Sequence, residues 1–167
     1  KEKLMPNLTQ FYQQFTNDLS RANRFEVWIH TPPNVFPAGT FFSDKMRNGE
    51  YLAFRCESAQ LPGRHLTTVN QKTFGPYEKF PVHTTYNDID LTFIVDGSMV
   101  PRYIFDTWIE YINPSGNFNI SYKNDYVTDI LINQYDLNDN LSYSVKLIDA
   151  FPININQQDL NWSSDSV

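Results

Sequence analysis

Three histidines, a scatter of aspartates and one cysteine are the side chains with chemistry to offer, and their spacing limits what they can do. His30, His65 and His83 are far apart, and none has a ligand-type residue at i+3 or i+4, so a metal site would need the fold to bring them together. Asp136, Asn138 and Asn140 occupy positions one, three and five of a calcium-loop pattern. Leu141 stands where that loop needs glycine and Leu147 where it needs glutamate, so the stretch is expected to be a hairpin turn of residues that tolerate positive φ. Asp88, Asp90 and Asp96 could pair for acid–base work. Asp90 and Asp96, however, fall on the solvent side of a predicted strand, where carboxylates are ordinary. There is no phosphate-binding glycine loop, nucleophile elbow or Cys/His pair. Cys56 alone can form neither an internal disulfide nor a CxxC zinc site, and its phase with Leu52 and Phe54 predicts a small core residue. The expectation is a protein that is not an enzyme and uses no cofactor or metal.

The elements that must position these residues are mostly strands. Of 167 residues, 16% are aromatic, with 13 Phe and 10 Tyr, which favours pleated, half-buried surfaces. The length suits one domain, with a helical arm over residues 1–20 carrying Leu8, Phe11, Tyr12, Phe15 and Leu19 on one stripe. The formal charge of -6 argues against a partner bound by neutralising phosphates. No stretch approaches the roughly 20 apolar residues that span a bilayer, and the sequence reads as soluble.

Strands are predicted from Arg24 to His30, with Trp28 on the polar side, and from Tyr51 to Glu57, with Leu52, Phe54 and Cys56 inward. Between them, residues 31–50 form a Pro- and Gly-rich inserted loop whose aromatics should be ordered against something. Residues 64–85 read as a hairpin, His65 to Thr73 and Tyr77 to Thr85, with little apolar material to bury inside its own subunit. Such a hairpin is either mobile or completed by another chain. Ile89, Leu91, Phe93 and Val95 then alternate as a strand. After Gly97 and Ser98 the period changes, and Val100, Ile104, Phe105, Trp108, Ile109 and Ile112 make one helical stripe, stopped by Asn113–Gly116. Phe118 to Tyr122 suggests a short strand. Tyr126 to Tyr135 and Leu141 to Phe151 form a last hairpin with apolar residues on both faces, before Leu160 and Trp162. The fold class is mainly β, an antiparallel β-sandwich or barrel-like domain over residues 21–167 with one flanking α-helix.

Arg21-Ala22-Asn23-Arg24-Phe25-Glu26-Val27, Phe54-Arg55-Cys56-Glu57 before Leu61-Pro62-Gly63, the strand to Asp96, the helix with Phe105, Trp108 and Ile109, Gln134-Tyr135-Asp136, Phe151-Pro152, and Leu160 with Trp162 follow one another along the chain. Their order resembles that in the tail-tube proteins of contractile-tailed bacteriophages. The resemblance implies a structural virion protein, assembled in the host cytoplasm, whose homo-hexameric rings stack into a tube conducting DNA. A sheath protein would lie on the outer face and baseplate proteins at the tube end, with no membrane partner. On this reading Trp28, Arg64, His65, Thr67, Phe74, Tyr77, Phe80 and His83 are candidate subunit-interface residues. Asp88, Asp90 and Asp129 are candidates to line the lumen, where carboxylates would repel phosphate. The insertion and the arm also suit a baseplate-proximal tube-initiator ring of the same fold. From another class, Trp28 and the many tyrosines suit a soluble carbohydrate-binding or hydrolytic β-sandwich.

Overall fold

The computed structural model describes residue 12 and residues 20–36, 49–72, 74–158 and 160. The predicted arm, apart from Tyr12 and Ser20, lies outside the described residues, as do residues 37–48 of the insertion and Trp162.

In chain order the elements are β1 (Phe25–Ile29), the single-turn helix α1 (Glu50–Ala53), β2 (Cys56–Ala59), β3 (Arg64–Gln71), β4 (Glu78–Tyr86), β5 (Leu91–Phe93), the long helix α2 (Val100–Ile112), the single turn α3 (Lys123–Tyr126), β6 (Thr128–Tyr135) and β7 (Leu141–Ala150). Every pairing is antiparallel: β6 lies between β1 and β7, β2 pairs with β5, and β3 pairs with β4. The fold is mainly β, as the composition predicts. Its sheets remain open, so no barrel closes within the described part of one chain.

The core lies between the three-stranded sheet and α2. Alternation sends Val27 and Ile29 of β1 and Ile132 of β6 to one face, where they are buried with Ile104 and Trp108 of the helix. Trp108 is 1% exposed, and its Nε1 donates to the Tyr126 carbonyl at 2.8 Å, so the largest core side chain has its only donor satisfied. Phe105 reaches sideways to Phe93 of β5, with ring centroids 5.3 Å apart. Pro101 occupies the first turn of α2, where its missing N–H costs nothing. The insertion contributes too: Val35 and Phe36 are buried in the same cluster, which meets the expectation that its aromatics are ordered for the part described.

Three local expectations are corrected. Tyr51 to Glu57 is not one strand, because Gly49, at φ 69, starts a helical turn closed by Ala53 N–H to the Gly49 carbonyl and Phe54 N–H to that of Glu50. Leu52 enters the core at 2% exposed while Phe54 is thrown outward at 81%, and pairing starts only at Cys56. The strand expected to run from Ile89 to Val95 pairs only over Leu91–Phe93, because its partner β2 is four residues long. Phe118 to Tyr122 forms no strand; Phe118 has φ 55, and Ser121 instead ties to the end of α2 through its N–H to the Ile112 carbonyl. The calcium-like stretch is a hairpin turn, in which Asp136 Oδ1 accepts from the N–H groups of Asn138 at 2.8 Å and Asn140 at 2.9 Å.

Candidate assembly surface

β2 leads into β3 and β4 leads back into β5, so the two pairs follow one another as a single antiparallel ribbon. The junction is held by Gln60 N–H to the Asp90 carbonyl at 3.2 Å and Asn87 N–H to the Gly63 carbonyl at 3.1 Å. On the β2–β5 part, Cys56, Ala59, Leu91 and Phe93 pack against the core. Beyond Gly63 the ribbon leaves the core, and of the β3 and β4 side chains only Thr67 and Thr84 are even half-buried.

The register of this projecting hairpin runs from Arg64 opposite Tyr86 to Gln71 opposite Glu78. One shift occurs, between Thr67 opposite His83 and Thr68 opposite Pro81, which leaves Val82 as the extra residue of a bulge. The bulge sits beside a proline, which has no N–H to give the ladder. Cross-strand partners share a face, so His65, Thr67 and Val69 lie with Thr85, His83 and Phe80, while Arg64, Leu66 and Asn70 lie with Tyr86, Thr84 and Lys79. Apolar groups are exposed on both faces: Leu66 and Tyr86 on one, Val69 and Phe80 on the other. At the tip Phe74 is 99% exposed, Gly75 takes φ 86, and Lys72 Nζ lies 5.2 Å from the Tyr77 ring centroid. An isolated two-stranded ribbon is marginal in water, and contiguous exposed apolar groups of this kind mark a contact surface.

Of the sequence-predicted interface residues, Arg64, His65, Thr67, Phe74, Tyr77, Phe80 and His83 are brought together on this one element. Trp28 is not among them. It lies on the face of β1 away from the core, half-buried, with Nε1 donating to Glu26 Oε2 at 3.0 Å. The Tyr135 hydroxyl donates to the same oxygen at 2.8 Å, and that carboxylate pushes the phenol's pKa up. Leu66, Val69, Val82 and Tyr86 were not singled out from the sequence, although their apolar character within a polar, proline-broken stretch was the available signal.

The three candidate carboxylates divide. Asp88 and Asp90 are exposed in the segment between β4 and β5. Asp129 lies on β6 beside Lys146, with Nζ to Oδ2 at 2.7 Å, and that hydrogen bond holds its carboxyl below the usual range. Asp96 is a local brace rather than a reagent. It accepts from the Ser98 hydroxyl and N–H, from Arg55 Nη2 at 2.8 Å and from the Tyr51 hydroxyl at 3.3 Å. Burial pushes the Cys56 thiol up to about 11, away from nucleophilic use. Among the described residues no three His, Cys, Asp or Glu side chains converge as a metal site, and no helix is long and apolar enough to cross a membrane.

Known proteins match this sequence along most of the chain. Over 147 residues the sequence is 30% identical to the tail tube protein of Serratia phage KSP90, a stretch covering 87% of this chain and 78% of that relative. Residues 20–167 match the family of phage tail tube proteins. That match takes in the three-stranded sheet, its buttressing helix and the projecting hairpin alike, and the chain therefore belongs to the phage tail tube protein family.

Proposed function

We propose that this structural component of the phage tail builds the tube wall by closing into hexameric rings that stack, leaving a lumen through which DNA passes. The single observation that carries the reading is the hairpin β3–β4, whose exposed apolar side chains no described part of its own chain covers. Its ladder has an unpaired edge on each side, and a neighbouring copy is the natural source of the missing strands. Arg64, His65, Thr67, Phe74, Tyr77, Phe80 and His83 then become subunit contacts, and Trp28 a second one on the outer side of the main sheet. Asp88 and Asp90 are the carboxylates free to line the lumen, with Asp129 contributing less because Lys146 offsets its charge. The sheath protein covers the outer wall, baseplate proteins cap the end, and assembly takes place in the host cytoplasm.

The test is electron microscopy of purified protein beside a variant in which residues 65–84 are replaced by a two-residue turn. The Asn87–Gly63 bond closes the hairpin at its base, so the body should fold without it. The full chain is expected to form rings or tubes with a central channel, and the variant a folded monomer. Tubes formed by the variant would show that the hairpin is not the assembly element.

A further inference from the structure

Ion pairs are unevenly distributed in this chain. In the body, Arg24, Arg55, Arg102, Lys123 and Lys146 each sit against a carboxylate, those of Asp139, Asp96, Asp106, Asp149 and Asp129. On the hairpin, neither Arg64, Lys72 nor Lys79 has a carboxylate within ion-pair distance among the described residues. Residues 64–86 hold those three cations against Glu78 alone, a net charge of +2 in a chain of -6, which leaves -8 on the remainder. The surplus carboxylates include Glu57 on β2 and Asp88 and Asp90 before β5, all exposed and without an ion-pair partner among the described residues. These three mark the root of the ribbon, and Lys72 and Lys79 mark its tip.

We infer that in the assembled tube the tip lysines Lys72 and Lys79 of one copy lie against the root carboxylates Glu57, Asp88 and Asp90 of a neighbouring copy. This rests on the reading of the hairpin as the assembly element. Within one copy the two groups cannot meet: Lys79 is seven residues up its strand from Tyr86, roughly 23 Å at the rise of a β-strand. A neighbour displaced along the ribbon removes that separation. The contact is head-to-tail, so it repeats from copy to copy and suits a ring or a stack. A nucleic acid would also attract lysines, but Leu66, Val69, Phe80 and Tyr86 are exposed along the same strands, and apolar side chains of that size need a protein surface to cover them. The carboxylates fix the register, and the apolar groups supply the affinity.

The experiment uses the full chain and reads the critical concentration for assembly by sedimentation. Lys72→Glu with Lys79→Glu is expected to raise it about tenfold or more, with the circular dichroism and melting of the unassembled chain unchanged. Lys72→Gln with Lys79→Gln, which adds no repulsion, should give a smaller rise in the same direction. Glu57→Lys with Asp88→Lys and Asp90→Lys should also fail alone. Mixing it with the tip-reversed variant should restore assembly, because each then offers the other an opposite charge at both contacts. Wild-type assembly should weaken as salt rises from 0.05 to 0.5 M, where screening of exposed charges becomes severe, with a Debye length of about 10 Å at 0.1 M and about 3 Å at 1 M. The inference is overturned if the tip-reversed variant assembles at the wild-type concentration, or if the mixture stays unassembled. Loss of duplex DNA binding by the tip-reversed variant with assembly intact would likewise overturn it, assigning the lysines to nucleic acid. If removal of the hairpin blocks assembly while the charge reversals do not, only this pairing fails. If removal leaves tubes intact, the assembly reading itself fails.

Discussion

The three-stranded sheet and the projecting hairpin are built by the same antiparallel pairing, yet they meet water in opposite ways. In the sheet, Val27, Ile29 and Ile132 are capped by Ile104 and Trp108, and Arg24, Lys123 and Lys146 at its margins are ion-paired. In the hairpin, Leu66, Val69, Phe74 and Phe80 are exposed and the cations have no carboxylate partner among the described residues. The difference teaches that hydrogen-bonded pairing sets local shape in both, while burial supplies stability in only one. On the proposed assembly reading, a chain of this design folds on its body and defers the hydrophobic gain of its hairpin to a partner. Equivalent substitutions in the two regions should therefore act on different observables.

The largest contrast is between two aromatics. Trp108→Ala removes the buried centre of the core and is expected to cost about 3–5 kcal/mol in urea denaturation. Phe74→Ala should leave that value within about 0.5 kcal/mol while impairing tube formation. Equal destabilisation by the two would erase the distinction between body and hairpin. The next contrast is between two glycines with positive φ. Gly49→Ala meets the left-handed penalty of about 1–2 kcal/mol, and its new Cβ would lie 3.1 Å from the Ile29 carbonyl oxygen, a backbone atom that cannot rotate away. Gly75→Ala has the same type of backbone penalty but nothing within 4 Å. Thermal melting should fall for the first and stay put for the second, since opening the tip does not open the core. A drop of equal size would show that the two regions unfold together.

The smallest effect concerns acid. The Ser98 hydroxyl first, and then Arg55, hold the Asp96 carboxyl down from 3.8 to about 2. Because its folded value lies below its unfolded one, its contribution is present above about pH 4 and is lost as pH falls toward 2. Asp96→Asn should thus flatten the acid limb of the body's stability over that window. The profile is best measured in the variant lacking residues 65–84, which is expected to stay monomeric. An unchanged acid limb would mean that Asp96 braces nothing.

Long, strongly periodic segments were legible from residue order. The stripe from Val100 to Ile112 predicted α2 with its bounds, and alternation placed Ile130 and Ile132 opposite Leu131 and Tyr135. The hairpin over residues 64–86 was legible from its prolines and from its shortage of core-forming groups. Short apolar runs were not legible. Leu52, Phe54 and Cys56 satisfy a period of two, but a four-residue helical turn buries Leu52 just as well, and the left-handed Gly49 selects the turn. Likewise Phe118, Ile120 and Tyr122 alternate, yet among the described residues no strand pairs with them. The role of Asp96 was hidden because its partners Tyr51 and Arg55 are more than forty residues away in sequence.

By itself the sequence determined that this chain is mainly β, that one helix from Val100 to Ile112 buttresses it, and that a family resemblance runs along most of its length. Side-chain periodicity and turn residues are local properties, and they survive without knowledge of what is packed against what. Tertiary structure decided which apolar residues found cover. Val35 and Phe36 joined the core from a loop, while Phe54 and Phe74 were left outside. Burial depends on which distant segments arrive opposite a residue, and for the hairpin no described segment of the same chain does.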